Sequence, residues 1–154
     1  MDLYYGRMSG NSARAFFGLT EGAVPFRAHV IDAKGGENKS PAYLAVNPMG
    51  KIPSLTDGDF KLWESNAINW YAAEKFPQAR LLPTSLEGRA DVQRWLFFQS
   101  AHVSPACVPV FRAINPRVLA FWGGAEPPAP AVESARKELA RFLPVLEDRL
   151  QGRE

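Results

Sequence analysis

Three short stretches hold the side chains whose types and spacing could do chemistry. "SGNSAR", residues 9–14, sets Ser9, Asn11 and Ser12 where a polar loop turns into a segment with apolar residues on one face. Each of the three is a residue type whose side-chain oxygen caps a helix start. "KIP", residues 51–53, puts an Ile-Pro bond directly before an apolar run. The cis form costs only ~0.5–1 kcal/mol before proline, against ~2.5–4 kcal/mol elsewhere, so a cis Ile52–Pro53 peptide is expected. That geometry turns the Ile52 N–H and C=O outward, where a peptide-like ligand can pair with them as with an edge strand. The third stretch is Glu64-Ser65. Ser65 opens a helix, whose first amides lack internal partners and carry partial positive charge. A ligand carboxylate fits there, and the Glu64 side chain can hold an ammonium beside it. Together they suit the head group of an α-amino acid.

The elements that must position these residues are readable from period and punctuation. "DLYY", residues 2–5, is an aromatic-rich strand. A helix follows, capped by Ser9, Asn11 or Ser12, with Ala13, Phe16 and Phe17 on one face. "PFRAHVID", residues 25–32, alternates as a second strand. Residues 33–41 are a glycine-rich polar loop, and "PAYLAVN" is one short helical turn before Pro48. Ile52 to Leu55 and Phe60 to Trp63 flank "TDGD", a hairpin signal. "ESNAINWYAAEKF" is a helix capped by Ser65, with Ile68, Ala72 and Phe76 on one face, and Pro77 stops it. The order is β-α-β, then β-β-α.

After a linker in "LLPTSLEGRA", residues 81–90, the pattern becomes helical only. Residues 89–103 place Val92, Trp95, Leu96, Gln99 and Val103 on one side. Residues 131–151 place Val132, Ala135, Leu139, Phe142, Leu143, Leu146 and Leu150 together, with a bend expected at Pro144. Six prolines from Pro105 to Pro130 mark the segment between as broken helix or loop.

Composition narrows the function classes. The chain has 154 residues, 46% hydrophobic and 22% charged, enough to bury a core. Its net charge of +2 comes from 18 basic and 16 acidic residues spread along the chain, which gives no reason to expect nucleic acid or an acidic membrane as partner. Cys107 is the one cysteine, so no internal disulfide forms and a reducing, cytoplasmic setting fits. With Met1-Asp2 at the opening and an early Arg7, no signal peptide is expected. His29 and His102 stand apart from any ligand-spaced Cys or Asp, so no metal site is expected.

"NPMGKIPSL", "LWESNAI" and "SGNSAR" after the first strand together resemble the cytosolic glutathione transferases, nearest to the serine-type branch of plants and bacteria. The resemblance implies an α/β thioredoxin-like N-terminal domain (βαβ-ββα) over residues 1–82. Residues 88–154 would form an all-α, incomplete C-terminal helical domain. It implies glutathione as cosubstrate, with no prosthetic group, conjugated as its thiolate to a small hydrophobic electrophile. Glu64 and Ser65 match the pair that binds the γ-glutamyl end. Ile52 and Pro53 match the pair whose backbone holds the cysteinyl part. Asn38 with Lys39, and Lys51, match positions that reach the glycine carboxylate. Ser9 matches the hydroxyl that activates the thiol, with Ser12 and Asn11 as rivals for that place. Tyr4 lies on the strand where other branches carry a catalytic tyrosine, but reads here as a core aromatic.

The resemblance further implies a homodimer, with residues near Asn66 to Tyr71 and Arg89 to Arg94 meeting across the two-fold. Relatives that reduce disulfides carry a cysteine where Ser9, Asn11 or Ser12 stands. Cys107 instead reads as a buried small residue. Trp95, Phe97, Phe98, Phe111 and Phe121 are candidates to line an electrophile pocket, but most read as core. In the family further helices follow the last one here. Leu139, Phe142 and Leu146 are therefore expected to have less to pack against, leaving a patch covered by dimerisation or a destabilised C-terminal half. Two other readings stay open: a glutathione-binding relative without turnover, and a glutathione-dependent peroxidase acting on organic hydroperoxides.

Overall fold

Strands β1 (Asp2–Tyr5), β2 (Arg27–Val30), β3 (Ser54–Asp57) and β4 (Phe60–Trp63) form one mixed sheet in the order β2-β1-β3-β4. The computed structural model describes residues 1–121 and 123–152, which fall into two compact units, Met1–Arg89 and Ala90 onward. In the first unit β1 runs parallel to β2 and antiparallel to β3, and β3 pairs antiparallel with β4. The parallel β1–β2 pair needs a crossover, and helix α1 (Gly10–Glu21) supplies it. The β3–β4 hairpin closes with Asp57 opposite Phe60. Gly58 and Asp59 therefore make the two-residue loop, with Gly58 at φ +59° in the first place, where a side chain would strain it.

Helix α2 (Pro41–Leu44) follows the 3-10 turn Glu37–Lys39, and helix α3 (Ser65–Lys75) follows β4 directly. The core of this unit is Leu3, Ala15, Leu19, Val24, Leu55, Ile68 and Ala72, drawn from both long helices, the two central strands and, for Val24, the α1–β2 connection. Two expectations about faces are corrected. On α1 the buried residues are Ser12, Ala15 and Leu19, while Phe17 is 69% exposed. The helix is packed along the Ser12–Ala15–Leu19 row against α3, a row that includes a polar serine and so is invisible to hydrophobic periodicity. Strand β2 is exposed along its whole length, because it is an edge strand. There Asp2 holds Arg27 and His29 by side-chain contacts, which lowers its carboxyl to about 2.

In the second unit the proline-rich segment is broken helix, as its prolines suggest. Helix α4 (Leu86–Phe98) begins inside the expected linker, because Ser85 caps it by accepting from the Gly88 N–H at 3.1 Å. A π-helical turn, Gln99–Val103, leads into α5 (Ser104–Ile114), and α6 (Pro116–Phe121) and α7 (Ala129–Leu150) follow. Pro105, Pro116 and Pro130 sit in first turns, where the missing N–H is an orphan anyway. Pro109 and Pro144 lie inside α5 and α7. Phe142 is buried, in ring contact with Phe98 and His102, which corrects the expectation that it is poorly packed. Leu143 and Leu150 of the same helix are exposed, as are Phe97, Phe111 and Phe121, so those three aromatics are not core. Cys107 is half-buried rather than buried, and partial desolvation raises its thiol. Among the described residues, no helix is long and apolar enough to cross a membrane.

Candidate functional site

The start of α1 is built by a closed set of hydrogen bonds. Ser9 is the N-cap, in extended conformation, and its Oγ accepts from the Ser12 N–H at 3.2 Å. The Ser9 N–H donates to the Gly6 carbonyl at 3.1 Å, and the Gly6 N–H donates to Ser12 Oγ, also at 3.1 Å. The three candidates for this helix start are thereby separated. Ser9 is half-buried and keeps its own hydroxyl proton free of any acceptor among the described residues. Ser12 is fully buried, with its hydroxyl occupied by Gly6. Asn11 is exposed, and its Oδ1 accepts from Arg14 Nη1 at 3.0 Å. Tyr4 is stacked on the His29 ring at 5.0 Å and lies edge-on to Tyr43.

The start of α3 differs from the sequence expectation. Ser65 is the first helical residue, and Glu64 takes the cap position at φ +71°, with no side-chain capping bond. The reason is the direction of the Ser65 hydroxyl. It is 5% exposed and accepts from Arg14 Nη1 at 2.7 Å instead of turning back to its own helix. Non-glycine residues at positive φ are uncommon, and a strained cap concentrates where function or packing over-determines it.

The Ile52–Pro53 bond is cis, and Pro53 is buried. The turn before it is built by two residues the sequence reading did not single out. Asn47 and Tyr43 both donate to the Lys51 carbonyl, at 2.6 and 2.7 Å, and Ser54 donates to the Tyr43 hydroxyl at 2.9 Å. Gly50 sits at φ +59° in this turn. A Cβ there would come within 2.8 Å of Lys39 Nζ, so the Lys39 ammonium lies over Gly50. Asn38 donates to the Gly50 carbonyl at 2.7 Å. Gly6 is equally tight: its Cβ would lie 2.2 Å from Ile52 Cδ1, so the loop bearing Ser9 packs on Ile52. The structure thus links the three stretches, Ser9 to Ile52 through Gly6 and α1 to Ser65 through Arg14, and sets Lys39 over the Gly50 turn.

Comparison with known proteins bears on this arrangement. Residues 1–74 match the glutathione S-transferase N-terminal domain family. A probable glutathione S-transferase of Oryza sativa subsp. japonica is 36% identical over 150 residues, spanning 97% of this chain and 69% of the rice protein. The chain belongs to the glutathione S-transferase family. The crystal structure of glutathione transferase F2 from Populus trichocarpa superposes with TM-score 0.83 at 27% identity, over 97% of this chain and 69% of the poplar chain. Human glutathione transferase theta-2, solved in complex with glutathione and an unknown ligand, superposes with TM-score 0.82 at 27% identity, over 98% of this chain and 61% of the human one. The thioredoxin-like first unit and helical second unit are those of this family.

Within this transferase, Arg14 is the site-building residue that sequence reasoning left without a role. It lies inside the quoted "SGNSAR" stretch, but nothing local says that its guanidinium crosses to Ser65, 51 residues later. Its backbone carbonyl also accepts from Asn69 Nδ2 of α3 at 3.1 Å. Partial burial pushes the guanidinium down from its usual range. One guanidinium nitrogen, Nη1, donates to both Asn11 and Ser65, held in place by the rigid plane of the group. Arg14→Ala leaves the buried Ser65 hydroxyl short of its donor. We expect it to lower unfolding stability by about 1–3 kcal/mol, with Arg14→Lys recovering only part, as measured by denaturant titration.

Proposed function

We propose that this glutathione S-transferase family member conjugates glutathione to small hydrophobic electrophiles. Glutathione lies along the first unit, its α-amino acid head at the start of α3, its cysteinyl main chain on Ile52 and its sulfur at Ser9. The Ser65 amide, at the positive end of α3, takes the glutamyl carboxylate, and the Glu64 carboxylate takes the ammonium. The Ile52 N–H and C=O pair with the cysteinyl backbone as a strand edge would. Lys39 and Lys51 face the glycine carboxylate, while Asn38 holds the Gly50 turn in place.

The observation that carries the chemistry is the hydroxyl proton left over at Ser9. Its oxygen is spent on the cap, and its proton can donate to sulfur. A free thiol of this kind has a pKa near ~8.5, so little thiolate exists at neutral pH. Lowering that value by about two units requires only ~2.7 kcal/mol. One charge-assisted hydrogen bond and the positive end of α1 are of that size together. The proton leaves to solvent, and the thiolate forms a C–S bond with the electrophile. The leaving group departs with the bonding electron pair, and positioning of the two reactants supplies much of the remaining rate.

The test is direct. With glutathione and 1-chloro-2,4-dinitrobenzene, the protein should release chloride and thioether in equal amounts, and calorimetry should register glutathione binding. Binding without conjugation would replace this reading by that of a non-catalytic glutathione binder. Absence of binding would remove the site altogether.

A further inference from the structure

We propose that Ser12 is a positioning residue for the thiolate, fixing the Ser9 hydroxyl from beneath the site without touching sulfur. The inference rests on the reading of Ser9 as the thiolate's donor. Gly6, Ser9 and Ser12 form a closed ring in which each is hydrogen-bonded to the other two. Ser12 contributes twice: its amide occupies a lone pair of Ser9 Oγ, and its hydroxyl holds the Gly6 N–H. Once one lone pair of a hydroxyl is fixed, its proton keeps only the remaining directions, away from the helix amides. Full burial keeps Ser12 itself away from a ligand. Gly6 in turn is wedged against the Ile52 side chain, with no room even for a Cβ. The ring therefore sets the separation between the two places that would hold the cysteinyl residue, its sulfur at Ser9 and its main chain at Ile52.

Removing the Ser12 hydroxyl leaves the Gly6 N–H without an acceptor, in a glycine that is itself buried. The loop relaxes, and the Ser9 proton loses its aim. The glutamyl and glycine ends, held at α3 and near Gly50, keep their contacts. The effect should therefore fall on the thiol and on kcat, and little on affinity.

The experiment titrates the thiol of bound glutathione by the ultraviolet absorbance of its thiolate. Its arms are the wild type, Ser9→Ala, Ser12→Ala and the double variant, with glutathione affinity measured in parallel. We expect Ser9→Ala to raise the thiol pKa by roughly one to two pH units and Ser12→Ala by about half to one. Affinity for glutathione should stay within about threefold in Ser12→Ala. The double variant should sit no higher than Ser9→Ala alone, because a residue acting through Ser9 adds nothing once Ser9 is gone. Ser12→Thr should restore the wild-type value and Ser12→Val should not. That pair shares one shape and differs in the hydroxyl, so it reads the same bond even if Ser12→Ala does not fold.

A Ser9→Ala shift with no Ser12→Ala shift would overturn the proposal, as would a double variant whose shift equals the sum. A shift in Ser12→Ala alone would assign the sulfur to Ser12 and overturn both readings. No shift in either variant would also overturn both.

Discussion

Glu64→Ala is expected to weaken glutathione binding by roughly ten- to a hundredfold, measured by calorimetry, while the protein stays as stable as before. The expectation separates two properties of one residue. Its side chain is exposed and makes no capping bond, so the folded chain does not depend on it. In the proposed complex it faces the ammonium of the glutamyl head, whose charge would be left without a partner. The backbone is the second property, since Glu64 holds φ +71° whatever its side chain. Alanine is as strained there as glutamate, but glycine is not. Glu64→Gly should therefore raise unfolding stability by about 1 kcal/mol while losing the same binding. A Glu64→Ala protein that binds glutathione normally would show that the head group sits elsewhere.

Ser9→Ala should leave glutathione affinity nearly intact and cut kcat/KM, at pH below the wild-type thiol pKa, by roughly ten- to a hundredfold, the factor matching a rise of one to two pH units in the thiol pKa. The sign follows from which form is stabilised. The Ser9 hydroxyl donates to the thiolate, so losing it raises the pKa and shrinks the reactive fraction. Below both pKa values the loss is complete. As pH rises past the wild-type value the gap narrows, and above the variant's own pKa the two ionised fractions agree. The whole pH–rate profile therefore moves to higher pH. Ser9 is also the helix cap, and Ser→Ala at a cap costs about 0.5–2 kcal/mol of stability. Ser9→Gly costs only a few tenths there. It should repeat the kinetic effect with little thermal penalty, which assigns that effect to the hydroxyl and not to a frayed helix. A profile that falls in height without moving would exclude Ser9 as the thiolate's partner.

How far the sequence reaches differs between the two units. In the first, strands, helices and hairpin follow from alternation, Pro77 and "TDGD", and each is present within a residue or two. In the second, the prolines mark a broken helix, α5 and α6 interrupted at Asn115, but not where each piece starts and stops. Residues Ser104–Ile114 form a helix with Pro105 in its first turn, where proline is harmless, and with Pro109 tolerated in its interior. A proline count cannot show where in the helix each proline falls. At the candidate site, the stretches are legible because chemistry-bearing types cluster in them. Their partnerships are not, since Arg14 and Ser65 are far apart in the chain.

By itself, then, the sequence determined the local elements, the cis Ile52–Pro53 bond and the family, all of which depend on neighbouring residues and short motifs. Tertiary structure alone decided that Ser12 is buried while Ser9 keeps a free proton, and that Ser65 turns to Arg14 and leaves the cap to Glu64. A hydroxyl follows whichever donor or acceptor packing brings to it, and that partner comes from another turn or another helix.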